Sequence, residues 1–427
     1  MKLFGTSGIR NLIDEDLIQL ALKVGLTVGE RYPRIIVGSD TRTSGGAMKH
    51  AFITGLLAAG AEGYDAGVIP TPTLALAARR FAAGAMITAS HNPPEYNGIK
   101  LWNPDGSAFN AEQREQIETT IAQNSVSVAA WDKMQDYRTY PRAIEQHIER
   151  ILSDFPGEFK LKVVVDCGGG AASVITPHLL SQMGCNVTKL NCQPTGFFPR
   201  PTEPTESNLA DLIKVTRELG VDLGIAHDGD ADRMMVIDDR GNFIPGDKLL
   251  VILARASAAK SVVTTVDASM AIEGAGFTVT RTRVGDTYVS EELQKGGDFG
   301  GEPSGSWIFP KISLCPDGIY AAALTIAIAR QHKLSRLADS IPAYPLIRGS
   351  TSSNGIITSK LEPQLMMMKP LSVSDADGIK LNFNDGWVLV RPSGTEPKIR
   401  LTAEAKTGAR AEQLYQSAIR VIKECID

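Results

Sequence analysis

A chain of 427 residues, 43% hydrophobic and 22% charged, is a folded protein, and at about 100–200 residues per domain it has room for two to four of them. Its net charge of -4 excludes a general binder of nucleic acid or of membrane surfaces. Any anion site therefore has to be built locally from a few residues.

The opening MKLFGTSGIRNLIDEDL lacks the apolar stretch of a signal peptide, and the longest apolar run, residues 318–329, is too short for a bilayer. Cys167, Cys185, Cys192, Cys315 and Cys425 form no CxxC pair. Their odd number, without metal spacing, reads as reduced thiols in a cytoplasmic protein.

In chain order, RIIVGSD (34–40) is a β-branched run ending in a polar turn, followed by a helical stretch and AAGAEGYDAGV (58–68). LKVVVDCGGG (161–170) leads through a helical stretch to QMGCNVTKLN (182–191), and SVVTTVDAS (261–269) leads to EGAGFTVTRTRV (273–284). Each unit reads as strand, tight turn, helix, capping glycine, strand, which predicts α/β sheets with sites near the strand ends. The C-terminal part differs. GIKLNF, GWVLVR and KIRLTAEA are closely spaced strands with a turn at NDG (384–386), and ARAEQLYQSAIRVIKECI is an amphipathic helix, which predicts a small α+β domain. Residues 352–373 carry no clear element signal, and the three methionines within them are expected to pack rather than to bind a cofactor.

The motif with the most chemistry is HDGDADR (227–233), after the strand-like VDLGIA. Asp228, Asp230 and Asp232 fall at alternate positions, which share a face in extended chain. Three close carboxylates repel one another unless a cation sits among them, and hard oxygen ligands suit Mg²⁺ or Ca²⁺. An EF-hand fits poorly, because the sixth residue from Asp228 is Arg233 rather than Gly and the twelfth is Asp239 rather than Glu. Asp and Gly are also ordinary turn formers.

A Mg²⁺ site implies a phosphate. RPSGTEPKIR (391–400) offers Arg391 and Arg400 around a Ser393, Gly394, Thr395 turn whose backbone N–H groups can form an anion nest. FGTSGIR (4–10), ending in Arg10, and GSDTRTSG (38–45) are weaker polar turns. GGEPSGS exposes Glu302 and Ser304, groups suited to sugar hydroxyls. CGGGAAS lacks the third glycine of a dinucleotide loop, having Ser173 there, and no Walker A sequence occurs.

TASHNPPEYNGIK (88–100) holds Ser90, His91 and Lys100 on a proline-rich loop. It is not the G-x-S-x-G elbow of a hydrolase. Beside an acidic cluster and phosphate nests, a serine fits the role of covalent phosphate carrier, with Lys100 or His91 moving a proton.

TASHNP, DGDADR, GEPSG and RPSGTEP, in that order along the whole chain, resemble the α-D-phosphohexomutase superfamily. The resemblance implies three similar α/β domains with mixed sheets and a smaller α+β domain around a central cleft, divided here as 1–140, 141–240, 241–342 and 343–427. It implies a phosphoserine at Ser90 and one Mg²⁺ held by Asp228, Asp230, Asp232 and the phosphoserine. Arg10, His91 and Lys100 would surround the reacting phosphate, with Lys100 as general acid/base and Arg233 in the same positive shell. Glu302 and Ser304 would grip sugar hydroxyls. Arg391, Ser393, Gly394, Thr395 and Arg400 would hold the non-reacting phosphate. The implied reaction interconverts hexose 6-phosphate and hexose 1-phosphate through a hexose 1,6-bisphosphate, with a small sugar phosphate as partner and neither nucleic acid nor membrane. FGTSGIR and VGDTYV (284–289) are most similar to phosphoglucosamine mutases. Pro303 and Ser306 depart from the GEQSGH loop of their bacterial form, so phosphomannomutase/phosphoglucomutase is the second reading. A Mg²⁺-dependent sugar phosphatase and a non-catalytic sugar-phosphate binder are the readings from other classes.

Overall fold

A computed structural model describes residues 2–352, 358–392 and 398–425. Four sheets follow one another along the chain. The first contains β1 (Ile9–Leu12), β2 (Arg34–Ser39), β3 (Glu62–Val68), β4 (Ala83–Ile87), β5 (Tyr96–Trp102) and β6 (Tyr137–Thr139), in the order β1-β5-β4-β2-β3-β6. The second contains β7 (Lys162–Asp166), β8 (Asn186–Leu190), β9 (Leu223–His227) and β10 (Met234–Ile237), in the order β10-β9-β7-β8. The third contains β11 (Ser261–Thr265), β12 (Thr278–Thr282), β13 (Phe299–Gly301) and β14 (Trp307–Ile308), in the order β12-β11-β13-β14. The fourth is antiparallel: β15 (Leu346–Ser352), β16 (Ser372–Ser374), β17 (Ile379–Phe383), β18 (Gly386–Pro392) and β19 (Lys398–Ala405).

The first three sheets share one plan. A parallel pair (β2 with β3, β7 with β8, β11 with β12) is joined by a further parallel strand that turns back as an antiparallel partner. These returns are β4 to β5, β9 to β10 and β13 to β14. The parallel pairs are those that the repeated pattern predicts. The sequence pattern does not mark these returns, and the candidate residues Ser90, Asp228 and Glu302 each lie in one of these connections. One expectation is corrected. The helical stretch of the third unit is a single 3₁₀ turn, Glu273–Ala275, because too few residues separate β11 from β12 for a longer helix. The glycines that follow the three helical pieces, Gly60, Gly184 and Gly276, all have positive φ.

Strands such as KVVVD are buried along their β-branched residues, as a sheet covered on both faces requires. One continuous apolar core joins the second and third sheets, and separate cores lie under the first and fourth. The fourth sheet docks on the third through Val266, Trp387 and Leu389. There the Lys380 ammonium lies 4.0 Å over the Trp387 ring and donates to the Val266 carbonyl at 2.6 Å.

The stretch without sequence signal contains a helix, Thr358–Met366, whose Leu361 and Leu365 reach the fourth core. Pro363 interrupts the helix pattern there, which is why it was not read. The methionine expectation is corrected too: Met366 and Met367 are exposed, and Met368 alone packs against that core. Among the described residues no helix is long and apolar enough to cross a membrane.

Candidate active site

Ser90 sits just past β4 and is almost fully buried. Its φ of 52° is left-handed, a conformation that costs a non-glycine residue about 1–2 kcal/mol and needs outside support. Support comes from two sides. The Ser90 N–H donates to Thr88 Oγ1 at 2.8 Å, and Thr88 Oγ1 donates to Asp40 Oδ2 at 2.6 Å. The buried Arg42 guanidinium pairs with Asp40 at 3.1 Å and donates to the carbonyls of Ser90, Asn92, Pro93 and Tyr96. Arg42 thus holds the whole serine loop from beneath.

The side chain of Ser90 points at the acidic cluster, its Oγ donating to Asp228 Oδ2 at 2.8 Å. His91 Nδ1 lies 3.4 Å from the same oxygen. Asp228, Asp230 and Asp232 are all buried and bring ligand atoms within 4.8 Å of one another. Asp230 Oδ1 and Asp232 Oδ1 are buried without any hydrogen-bond partner. Orphaned carboxylate oxygens in a buried acidic cluster are what a hard divalent cation would satisfy, so the donor set fits such an ion. Ala231, between two of the ligands, also has a positive φ of 57°, and Thr71 fixes Asp230 by donating to its Oδ2 at 2.5 Å.

Lys100 reaches the cluster from β5 and donates to Asp230 at 2.7 Å and Asp232 at 2.6 Å. Arg10, on β1, pairs in register with Gly98, so it lies diagonal to Lys100 on one face. Arg10 holds Asn92 at 3.1 Å. Burial and the neighbouring carboxylates of Asp232 and Asp230 push the Asp228 carboxyl up. Burial and Asp230 do the same to Asp232. Against its own burial, Asp230 is pulled well below the usual carboxylate range by the Lys100 ammonium. Although burial opposes it, Lys100 is held protonated by Asp230 and Asp232. Burial and the cations Arg233, Arg10 and Lys100 keep His91 neutral.

The other loops meet this centre. Arg233 pairs with Glu203 at 3.1 Å, and its backbone bridges that of Ser306. The Met234 N–H donates to the Gly305 carbonyl at 3.0 Å, so the loop of the three aspartates and the Glu302–Ser306 loop are joined directly. Glu302 is buried and accepts from the Gly285 N–H at 2.8 Å; burial and Asp286 push its carboxyl up to about 8. Ser304 is exposed at the tip of that loop.

Arg391 and Arg400 stand directly opposite each other on β18 and β19. Like charges in such a pair repel, an arrangement that an anion between them would relieve. Arg391 pairs with Asp377 at 3.3 Å, which also accepts from the Val284 N–H at 3.2 Å. The fourth sheet is therefore linked, through residues 284–285, to the loop that carries Glu302. Ser393, Gly394 and Thr395 lie outside the described residues.

Sequence reasoning missed Arg42, Asp40, Thr71, Glu203 and Asp286. The signal for the first two was GSDTRTSG, which reads alone as a turn. Asp286 lies in VGDTYV and accepts from Ser7 Oγ at 2.7 Å, tying the third sheet to FGTSGIR of the first.

Family models for the four domains of phosphoglucomutase/phosphomannomutase match the chain in order. The α/β/α domains I, II and III match residues 1–127, 139–241 and 245–344, and the C-terminal domain matches residues 354–420. A protein of Methanococcoides burtonii named "Probable phosphoglucosamine mutase" is 48% identical over all of both chains. One of the same name from Pyrococcus abyssi is 42% identical over all of this chain and 98% of its own. The crystal structure of a phosphoglucomutase/phosphomannomutase family protein from Burkholderia thailandensis superimposes with a TM-score of 0.88 at 27% identity, covering 99% of this chain and 97% of that one.

Proposed function

Since the chain belongs to the phosphoglucomutase/phosphomannomutase family of α-D-phosphohexomutases, we propose that it interconverts glucosamine 6-phosphate and glucosamine 1-phosphate through phospho-Ser90 and a glucosamine 1,6-bisphosphate. The observation that carries the chemistry is Ser90 Oγ, 2.8 Å from Asp228 in a buried cluster of three carboxylates, one lysine and nearby arginines. The amino sugar rests on the name shared by relatives 42–48% identical along the full chain.

In the first half, the free O1 of the sugar attacks the phosphorus on Ser90, its proton leaves, and the bond to Ser90 Oγ breaks as that oxygen gains a proton. In the second half, after the bisphosphate turns over, Ser90 Oγ attacks the phosphorus at O6 and O6 departs with a proton. Lys100 would serve as the general acid/base for these protons, with His91 beside the reacting phosphate. Asp228, Asp230 and Asp232, with the phosphoserine, would hold Mg²⁺, which when bound neutralises the charge on the transferring phosphate. Arg10 and Arg233 add positive charge around that phosphate. Glu302 and Ser304 would bind sugar hydroxyls, and Arg391 and Arg400, with Ser393, Gly394 and Thr395, the phosphate that only holds. A holding site on a separate domain lets the cleft loosen for the turnover. The division at 140, 240 and 342 and a cytoplasmic setting, which suits an odd number of cysteines without metal spacing, belong to the same proposal.

Phosphomannomutase/phosphoglucomutase activity is the second reading, favoured by Pro303 and Ser306. ³¹P NMR with Mg²⁺, trace glucose 1,6-bisphosphate, and glucosamine, mannose or glucose 6-phosphate in parallel tubes separates them. The strongest 1-phosphate signal is expected with the amino sugar. A stronger signal with mannose or glucose moves the enzyme to the second reading, and steady free phosphate without any 1-phosphate would make it a phosphatase.

A further inference from the structure

Two thiols outside the reaction lie side by side. Cys167, at the end of β7, and Cys192, just past β8, bring their sulfurs to 3.3 Å. The strands are parallel neighbours, with Asp166 opposite Leu190, so both residues leave the sheet at the same edge. Cys167 is fully buried and Cys192 is half-buried, next to the exposed Gln193 and Pro194. Of the two residues, Cys192 is the one that is partly exposed. Cys185, Cys315 and Cys425 are buried elsewhere.

The loop that Cys167 begins is packed against the metal-binding loop. The Ala171 N–H donates to the Gly229 carbonyl at 2.9 Å, and a Cβ on Gly170 would lie 2.6 Å from that oxygen and 2.9 Å from the Asp228 carbonyl. There is no free space between the two loops. The Cys192 side is tied to the same loop, since the Gly169 N–H donates to the Asn191 carbonyl at 2.7 Å and the Cys167 N–H to the Leu190 carbonyl at 3.2 Å. Gly168, Gly169 and Asn191 all have positive φ, so the corner is a tight left-handed turn.

We propose that Cys167 and Cys192 form a reversible, peroxide-sensitive disulfide site whose closure displaces the loop bearing Asp228 and Asp230. Hydrogen peroxide is the oxidant. The Cys192 sulfur attacks one peroxide oxygen, the O–O bond breaks, and a sulfenic acid and one water result. The Cys167 sulfur then attacks the Cys192 sulfur, the S–O bond breaks, and a second water leaves. Two thiols and one peroxide become one disulfide and two waters. The roles follow access, and the hydrogen bond between the thiols, which pulls Cys192 down while burial pushes Cys167 up, agrees with Cys192 as first nucleophile. A disulfide needs its sulfurs about 2.0 Å apart, so they must approach by more than about 1 Å, and the Cys167–Gly170 turn moves with them against Gly229.

The coupling rests on reading the aspartates as a metal site; the bond itself does not. The test treats the full-length protein with hydrogen peroxide, alkylates remaining thiols after unfolding, and maps them by mass. The expected result is loss of two hydrogens, one peptide pair linking Cys167 to Cys192, three other cysteines still alkylated, and full reversal by dithiothreitol. Calorimetric titration of Mg²⁺ into reduced and oxidised protein should show weaker binding after oxidation by about fivefold or more. Cys192→Ser should keep its Mg²⁺ affinity through the same treatment. Alkylatable Cys167 and Cys192 after peroxide, or over-oxidation of Cys192 without a link, overturns the site on wild-type protein alone. A mapped disulfide with unchanged Mg²⁺ affinity overturns the coupling. Absence of Mg²⁺ binding in the reduced protein counts against the metal reading, and the thiol map still decides the disulfide.

Discussion

A Cβ on Gly229 would lie 2.4 Å from the carbonyl oxygen of Ser90. The loop of the three aspartates can approach the serine loop this closely only because its second residue has no side chain, and that approach brings Ser90 Oγ to Asp228. Gly229→Ala should part the loops while leaving the cores untouched. The expected outcome is a fall in kcat of about 100-fold, the scale of a 1 Å misplacement, with little change in Tm. Wild-type kcat in this variant would remove the contact from the mechanism.

Ser90→Ala should abolish turnover, because among the described residues no other hydroxyl donates to Asp228. Incorporation of ³²P from labelled bisphosphate into the protein should vanish together with activity. Full residual turnover sinks the phosphoserine role.

Arg42 is buried, paired with Asp40, and serves four carbonyls of the serine loop. Arg42→Met leaves Asp40 buried without its cation and those carbonyls without a donor. Breaking a buried pair in this way costs about 3–5 kcal/mol, so a clear drop in the urea midpoint is expected along with lost activity. An unchanged midpoint would show that the loop is held by other means.

Arg391→Ala removes one of two facing guanidinium groups in the fourth sheet. KM for the sugar phosphate should rise at least about tenfold, the scale of one charge-assisted contact, while labelling of Ser90 by bisphosphate changes far less. A KM that stays put means that the holding site lies elsewhere.

Glu302 supplies a pH test. Burial and Asp286 raise its carboxyl to about 8 in the folded state, against 4.5 as the ordinary value. Between those two values the folded protein binds up to one more proton at this residue than the unfolded chain, so its contribution makes stability fall as pH rises, by about 1.4 kcal/mol per pH unit at most. Glu302→Gln removes that slope, and its amide oxygen can still accept from Gly285. The variant should gain Tm over wild type progressively from pH 5 to pH 8. A constant difference across that range would mean that Glu302 is ionised throughout.

The sequence by itself determined the inventory of groups and their order along the chain. Ser90 on a proline-rich loop, three alternating aspartates after a strand and paired arginines in the last domain are local patterns, and each names its chemistry without a partner. The repeated parallel pairs were legible for the same reason, since β-branched runs and capping glycines act over a few residues. Only the tertiary structure decided that these groups meet. Ser90 and Asp228 are 138 residues apart, and Lys100 and Asp230 are 130 apart. Their contact depends on the antiparallel returns β4–β5 and β9–β10 facing one another, which no periodicity encodes. Arg42 was invisible for a related reason. A guanidinium that serves four backbone carbonyls is recognised by where the chain bends around it, and the sequence shows only an arginine in a polar turn.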